Sequence, residues 1–161
     1  MKNKILILVS FLLLFACEKD NYDWTNNITK LYQHNEKKIS ITEGIWGTLT
    51  QREGNWMPGA NGNPREFPAQ REIAVYEYTT INEIIGEPTS CEVLTKLIAT
   101  TTCDKEGFYE LNVDPGQYSV FVNEQGKLYT NILDGYGGLN PVVVESSNIS
   151  EMNLVIDYAV Y

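Results

Sequence analysis

From Ile39 onward the chain is written in short segments of alternating apolar and polar residues, each closed by Gly, Pro, Asn or Asp. Ile45, Gly47 and Leu49 alternate with Trp46, Thr48 and Thr50, and Ile73 and Val75 with Ala74 and Tyr76. Tyr109, Leu111 and Val113 share one face, as do Tyr118, Val120 and Val122, while Met152, Leu154, Ile156 and Tyr158 alternate with Asn153, Val155 and Asp157. Leu97–Thr102 is rich in β-branched residues, and Lys127–Leu133 and Val142–Glu145 are short apolar runs. Successive strand side chains point to opposite faces, so this period of two buries every second residue and exposes the rest. Gly86 and Pro88 interrupt the one rival stretch, Thr80–Leu97, which leaves room for a helical turn but not a long helix. Seven or eight such segments predict an all-β fold, a single antiparallel β-sandwich over 39–161.

The other end of the chain has a different texture. Lys2 and Lys4 precede an apolar run, Ile5–Phe15, that is shorter than the roughly 20 residues a membrane-spanning helix requires. The run ends in Leu14-Phe15-Ala16-Cys17, and this pattern resembles a bacterial lipoprotein signal, with residues 1–16 removed and Cys17 acylated. The resemblance implies a stable lipid anchor at the outer membrane, because two or more acyl chains hold where one binds only marginally. Glu18-Lys19-Asp20 is similar to the acidic export tracts of surface lipoproteins of the Bacteroidota. Residues 17–38 are polar and weakly patterned, and are expected to form a flexible tether with a reach of about 25 Å.

Twelve basic against twenty-one acidic residues give a net charge of −9. Loss of Lys2 and Lys4 with the leader takes it to −11. Nucleic-acid binding needs phosphate neutralisation by clustered Lys and Arg, and is set aside.

Thr102–Val122, TCDKEGFYELNVDPGQYSVFV, is the densest stretch in chemistry. Its acids, Asp104, Glu106, Glu110 and Asp114, lack the alternating oxygen ligands and terminal bidentate Glu of a calcium loop. Glu106 and Asp114 flank a strand rather than a pocket. Asp104-Lys105-Glu106-Gly107 and Asp114-Pro115-Gly116 are turn chemistry, and the expectation is a hairpin whose two arms face one core. The pattern Asp104-x-x-Gly107-Phe108-Tyr109-x-Leu111-x-x-x-Pro115-Gly116-x-Tyr118-x-Val120 resembles the carboxypeptidase regulatory-like domain, a transthyretin-like (prealbumin-like) β-sandwich. Gly44-x-x-Gly47-x-Leu49 and Arg71–Tyr76 fit its opening strands. The resemblance implies a fold without an activity of its own, used as a support, spacer or recognition module. Hydroxyisourate hydrolases share the architecture but use several histidines. This chain has one, His34, outside the expected domain.

No catalytic residue, metal ligand or cofactor emerges. Cys91 and Cys103 form an even pair in an exported chain, and are either bridged or separately buried thiols. Trp56, in a Gly/Asn/Pro loop, either caps the core or contacts a ligand. Tyr136, in Asp134-Gly135-Tyr136-Gly137-Gly138, has little beside it that could bury it, and loops on rigid sandwiches carry recognition. The expected function is therefore a non-catalytic cell-envelope lipoprotein whose sandwich recognises another envelope protein or a glycan. The alternatives are a purely structural spacer, or a hydrolase using loop carboxylates such as Glu66 or Asp134.

Overall fold

The computed structural model describes residues 22–59 and 62–161. A helix, α1 (Ile28–Glu36), precedes twelve short strands. The first sheet is built around β1 (Gly44–Glu53), the longest strand. On one side β7 (Phe108–Leu111) and β2 (Arg65–Pro68) pair end to end with it, both antiparallel. On the other side β11 (Ile149–Glu151) and β12 (Leu154–Asp157) pair with it in parallel. The second sheet has seven strands. Its spine is β4 (Ile84–Glu87), β5 (Ser90–Val93), β9 (Lys127–Tyr129), β8 (Gly116–Glu124), β3 (Glu72–Glu77) and β6 (Leu97–Thr102), with β10 (Pro141–Val144) also against β8. All pairs in this sheet are antiparallel.

The two sheets enclose one core, and the alternation decides who enters it. Ile45 and Leu49 of β1, Ile73 and Val75 of β3, Tyr109 and Leu111 of β7, Val120 and Val122 of β8, and Leu154 and Ile156 of β12 are all buried there. Each such side chain contributes about 1.5–3 kcal/mol relative to an exposed one. Gly47 is required at its place in β1, because a Cβ there would sit 2.0 Å from the Met152 carbonyl oxygen. Tyr109 fills the space beside it and donates its hydroxyl to that same carbonyl. A second, smaller cluster forms on the outer face of the seven-stranded sheet. Phe121, Cys91 and Leu139 are buried there, with Tyr76 edge-on to Phe121 at 5.6 Å.

The all-β sandwich is as the alternation predicts, and the strand count rises to twelve. β2, β4, β5 and β11 have three or four residues each and fall outside the alternating segments of the sequence. The helical turn within Thr80–Leu97 is the 3-10 turn Ile81–Glu83, followed by the β4–β5 hairpin.

Two expectations change. Tyr109, Leu111, Val113, Tyr118, Val120 and Val122 do share one core, but β7 and β8 are not a hairpin. β7 bonds to β1 and β8 bonds to β3, β9 and β10, so Asp114-Pro115-Gly116 carries the chain from one sheet to the other. Alternation reports which face is buried and is silent on which strand takes the backbone bonds. The hairpin partner of β8 is β9, through a turn closed by Gln125 and Gly126 at φ 55° and 86°, the paired positive values of a two-residue hairpin loop.

The second change is at 22–38, which does not form a flexible tether. Leu31 and Asn35, one turn apart on α1, are completely buried on the outer face of the β1 sheet. The Asn35 amide donates to Thr48 Oγ1 at 3.0 Å and to the Glu106 carbonyl at 2.9 Å. Ahead of the helix, Asn26 exchanges backbone and side-chain bonds with Glu66 and donates to the Pro64 carbonyl. Behind it, Lys38 Nζ bridges Asp104 at 2.7 Å and Glu106 at 3.3 Å. The outward residues of β1, Trp46, Thr48 and Thr50, are consequently buried although they face away from the core.

Candidate functional site

The loop between β9 and β10 holds the most exposed aromatic ring described. Tyr136 is 92% exposed, yet the backbone beneath it is fixed. Asp134 Oδ1 accepts the amides of Tyr136 at 2.7 Å and Gly138 at 2.8 Å, and Oδ2 accepts the Tyr78 hydroxyl at 2.8 Å. The amides of Gly138 and then Tyr136 hold the Asp134 carboxyl below its ordinary pKa, and the hydrogen bond that the Tyr78 phenol donates to Asp134 raises the pKa of that phenol. Ile81 donates its amide to the Gly137 carbonyl and Leu139 its amide to the Thr79 carbonyl, which ties the loop to the end of β3. Gly138 must lack a side chain, since a Cβ would lie 2.3 Å from the Tyr78 hydroxyl and 2.5 Å from Asp134 Oδ2. Gly137, at φ +87°, provides the reversal.

Exposed apolar groups also stand on the same loop and on the turn it is tied to. Ile81 packs beside Gly137, and Leu133 immediately precedes Asp134; both are about half exposed. An aromatic ring with aliphatic neighbours on a rigid turn can stack on a flat or apolar ligand face at little entropic cost. Tyr78 and Ile81 went unnoticed in the sequence, where they stand more than fifty residues from Asp134. The one local signal was the Asp-Gly-x-Gly-Gly run itself.

Trp56 is in a different place. It follows the far end of β1, half-buried, with Nε1 donating to the Glu53 carbonyl at 2.9 Å and the Arg52 guanidinium 4.9 Å over its ring. Its backbone bonds to Val160, and it shares an open hollow with Ile28, Thr29 and Pro64. β3 begins next to this end of β1, where Arg71 reaches Gln51, and the Tyr136 loop hangs from the other end of β3. Six strand residues, about 20 Å, separate the two ends. Trp56 and Tyr136 do not form one site.

The acids are occupied structurally. Glu66 is buried on β2 and accepts from Thr50 Oγ1 at 2.8 Å and from Arg52 at 2.9 and 3.1 Å. Glu66 and Asp134 therefore stand at opposite ends of the sandwich and do not converge on one pocket. Asp104 Oδ1 caps the amides of Glu106 and Phe108, and Glu110 accepts the amide of Ser40 at 2.9 Å. Tyr118 donates its hydroxyl to the Asp114 carbonyl at 2.8 Å. Among the described residues, no three His, Cys, Asp or Glu side chains stand close enough to hold a metal ion.

Cys91 and Cys103 are separate buried thiols, not a disulfide. Cys103 belongs to the central core and Cys91 to the outer cluster, on opposite faces of the same sheet. Three strands, β9, β8 and β3, lie between β5 and β6, whereas a bridge needs Cα atoms within about 7 Å. Burial pushes the Cys103 thiol up to about 12 and raises that of Cys91 as well. Cys17 and the leader 1–16 lie outside the described residues, and no helix among those described is long and apolar enough to cross a membrane.

Comparison of the chain with protein-family models, with curated proteins and with solved structures gives no match.

Proposed function

We propose that this chain is a non-catalytic outer-membrane lipoprotein, anchored through an acylated Cys17, whose sandwich presents a recognition loop to another envelope protein or a glycan. The observation that carries the recognition role is Tyr136, an almost fully exposed ring on a loop whose backbone is held by Asp134 and Tyr78. An aromatic face held on a fixed backbone offers contact area at little ordering cost on binding. The resemblance of the Asp104–Val120 pattern to carboxypeptidase regulatory-like domains supports an accessory or recognition role. Lys2, Lys4, the apolar run and Ala16-Cys17 support the anchor.

The test has two parts. Feeding cells an alkyne fatty acid labels the wild-type chain and leaves Cys17→Ser unlabelled; equal labelling of both refutes the anchor. Crosslinking on intact cells, followed by isolation of the tagged chain, recovers one dominant protein or glycan with the wild type and much less with Tyr136→Ala. Equal recovery with both refutes the loop as the recognition site, and recovery of nothing specific leaves the spacer role in its place.

A further inference from the structure

The docked N-terminal arm carries a strip of surface unlike the rest of this acidic molecule. Tyr22, Trp24 and His34 stack in series, with ring centroids 4.3 and 5.0 Å apart. Beside them Lys30, Gln33, His34 and Lys37 recur at intervals of three and four along α1, one face of the helix. These six residues line a single shallow groove that, among the described residues, is lined by no carboxylate. Of the nine Lys and Arg among the described residues, six are paired with carboxylates. Two of the three left free, Lys30 and Lys37, are in this strip, and both are exposed.

We infer that this strip, Tyr22, Trp24, Lys30, Gln33, His34 and Lys37, lies against the headgroups of an anionic bilayer and fixes the orientation of the sandwich on the membrane. The inference rests on acylation of Cys17. Tyr22 is only five positions beyond Cys17, a span of at most about 18 Å when fully extended. An acylated Cys17 sits at the bilayer surface, so the aromatic end of the strip cannot leave the headgroup region by more than that. Tyr and Trp concentrate at the membrane–water interface, and unpaired Lys side chains near the surface are drawn to anionic lipids. Asp23 and Glu36 are also exposed nearby, and Glu18 and Asp20, with Lys19 between them, stand in the link to Cys17; Asp23 accepts the Thr25 amide, and neither Asp23 nor Glu36 lines the groove. With α1 on the bilayer, the five-stranded sheet is the proximal layer. The seven-stranded sheet, with Tyr136 at its end, is turned outward.

The test uses the acylated lipoprotein extracted from cells and reconstituted into vesicles of phosphatidylethanolamine and phosphatidylglycerol. Spin labels are placed at Gln33→Cys or Tyr136→Cys, both exposed positions, while the buried Cys91 and Cys103 stay unlabelled. Collision with an aqueous nickel chelate is expected to be several-fold weaker at position 33 than at 136, with the reverse order for lipid-soluble oxygen. Lys30→Glu with Lys37→Glu brings position 33 toward the values of 136. Flotation with the vesicles but equal accessibility at both positions overturns the docking and leaves the anchor standing. Failure to float overturns both. Shielding of position 33 in native membranes but not in the vesicles gives the strip to a protein partner and also overturns the lipid docking.

Discussion

Leu31→Ala separates a docked helix from a tether more sharply than any other single change. Leu31 is wholly buried beneath α1, and the residues of β1 under the helix, Thr48 and Thr50, are themselves buried. The sheet beneath is hydrogen-bonded on both sides, so it cannot collapse into the space left behind. Truncation of a buried Leu to Ala costs about 2–5 kcal/mol when the surroundings relax only partly. The helix is a single surface layer whose own ends can shift, which argues for the lower half, about 3 kcal/mol. With a urea slope near 1.5 kcal/mol/M, the unfolding midpoint falls by roughly 2 M. Equilibrium urea unfolding, followed by tryptophan fluorescence, reads this directly. Thr29→Ala, on the exposed side of the helix, is the control and moves stability by no more than about 0.5 kcal/mol. If the Leu31→Ala midpoint moves by less than about 0.3 M, α1 contributes nothing to the fold and the docked arm is refuted.

Four further outcomes follow from the same geometry. Both thiols resist Ellman's reagent at pH 8 in the native protein and react as two equivalents in denaturant, and reductant leaves the unfolding midpoint unchanged; a midpoint that falls with reductant contradicts the separate thiols. Cys103 keeps its proton up to about 12 when folded, against an ordinary 9.0, so above pH 9 the unfolded chain holds fewer protons and stability falls as pH rises from 9 toward 12; Cys103→Ala flattens that slope, and an unchanged slope refutes the assignment. Gly138→Ala drives the Tyr78 hydroxyl off Asp134, so amide exchange at Tyr136 and Gly138 quickens while the global unfolding midpoint barely moves, and unchanged exchange contradicts the loop's proposed tie. Because the Asp134 carboxyl lies below its ordinary 3.8, its hold on the same two amides persists at neutral pH and is lost only as acid protonates it, so their exchange, corrected for intrinsic rates, accelerates below that value.

Much of the core was legible in the sequence because a strand's alternation is local information. Tyr109, Leu111, Tyr118, Val120, Leu154 and Ile156 all lie where their period of two puts them. Strand pairing was not legible. The inward faces of a hairpin and of a crossing between sheets read the same, and only the partners of β7 and β8 distinguish them. The helix was hidden by chemistry. Ile28, Leu31, Tyr32 and Asn35 follow helical spacing, but the last is an amide, buried because Thr48 and the Glu106 carbonyl receive its protons. Tyr136 was visible as an aromatic ring among glycines, whereas the Tyr78 that steadies its loop becomes a neighbour only once β3 is laid down.

The parallel pairing of β1 with β11 and β12 governs the order of assembly. Gly44 meets Ile149 and Leu49 meets Leu154 across about a hundred residues of sequence. One side of the first long strand therefore stays open until the last strands arrive. Contacts so distant along the chain make for slow folding. They also make the finished sandwich impossible while its C-terminus is still being synthesised. A chain of this topology cannot complete its first sheet until its last strands are free to pair, so β11 and β12 close onto β1 late.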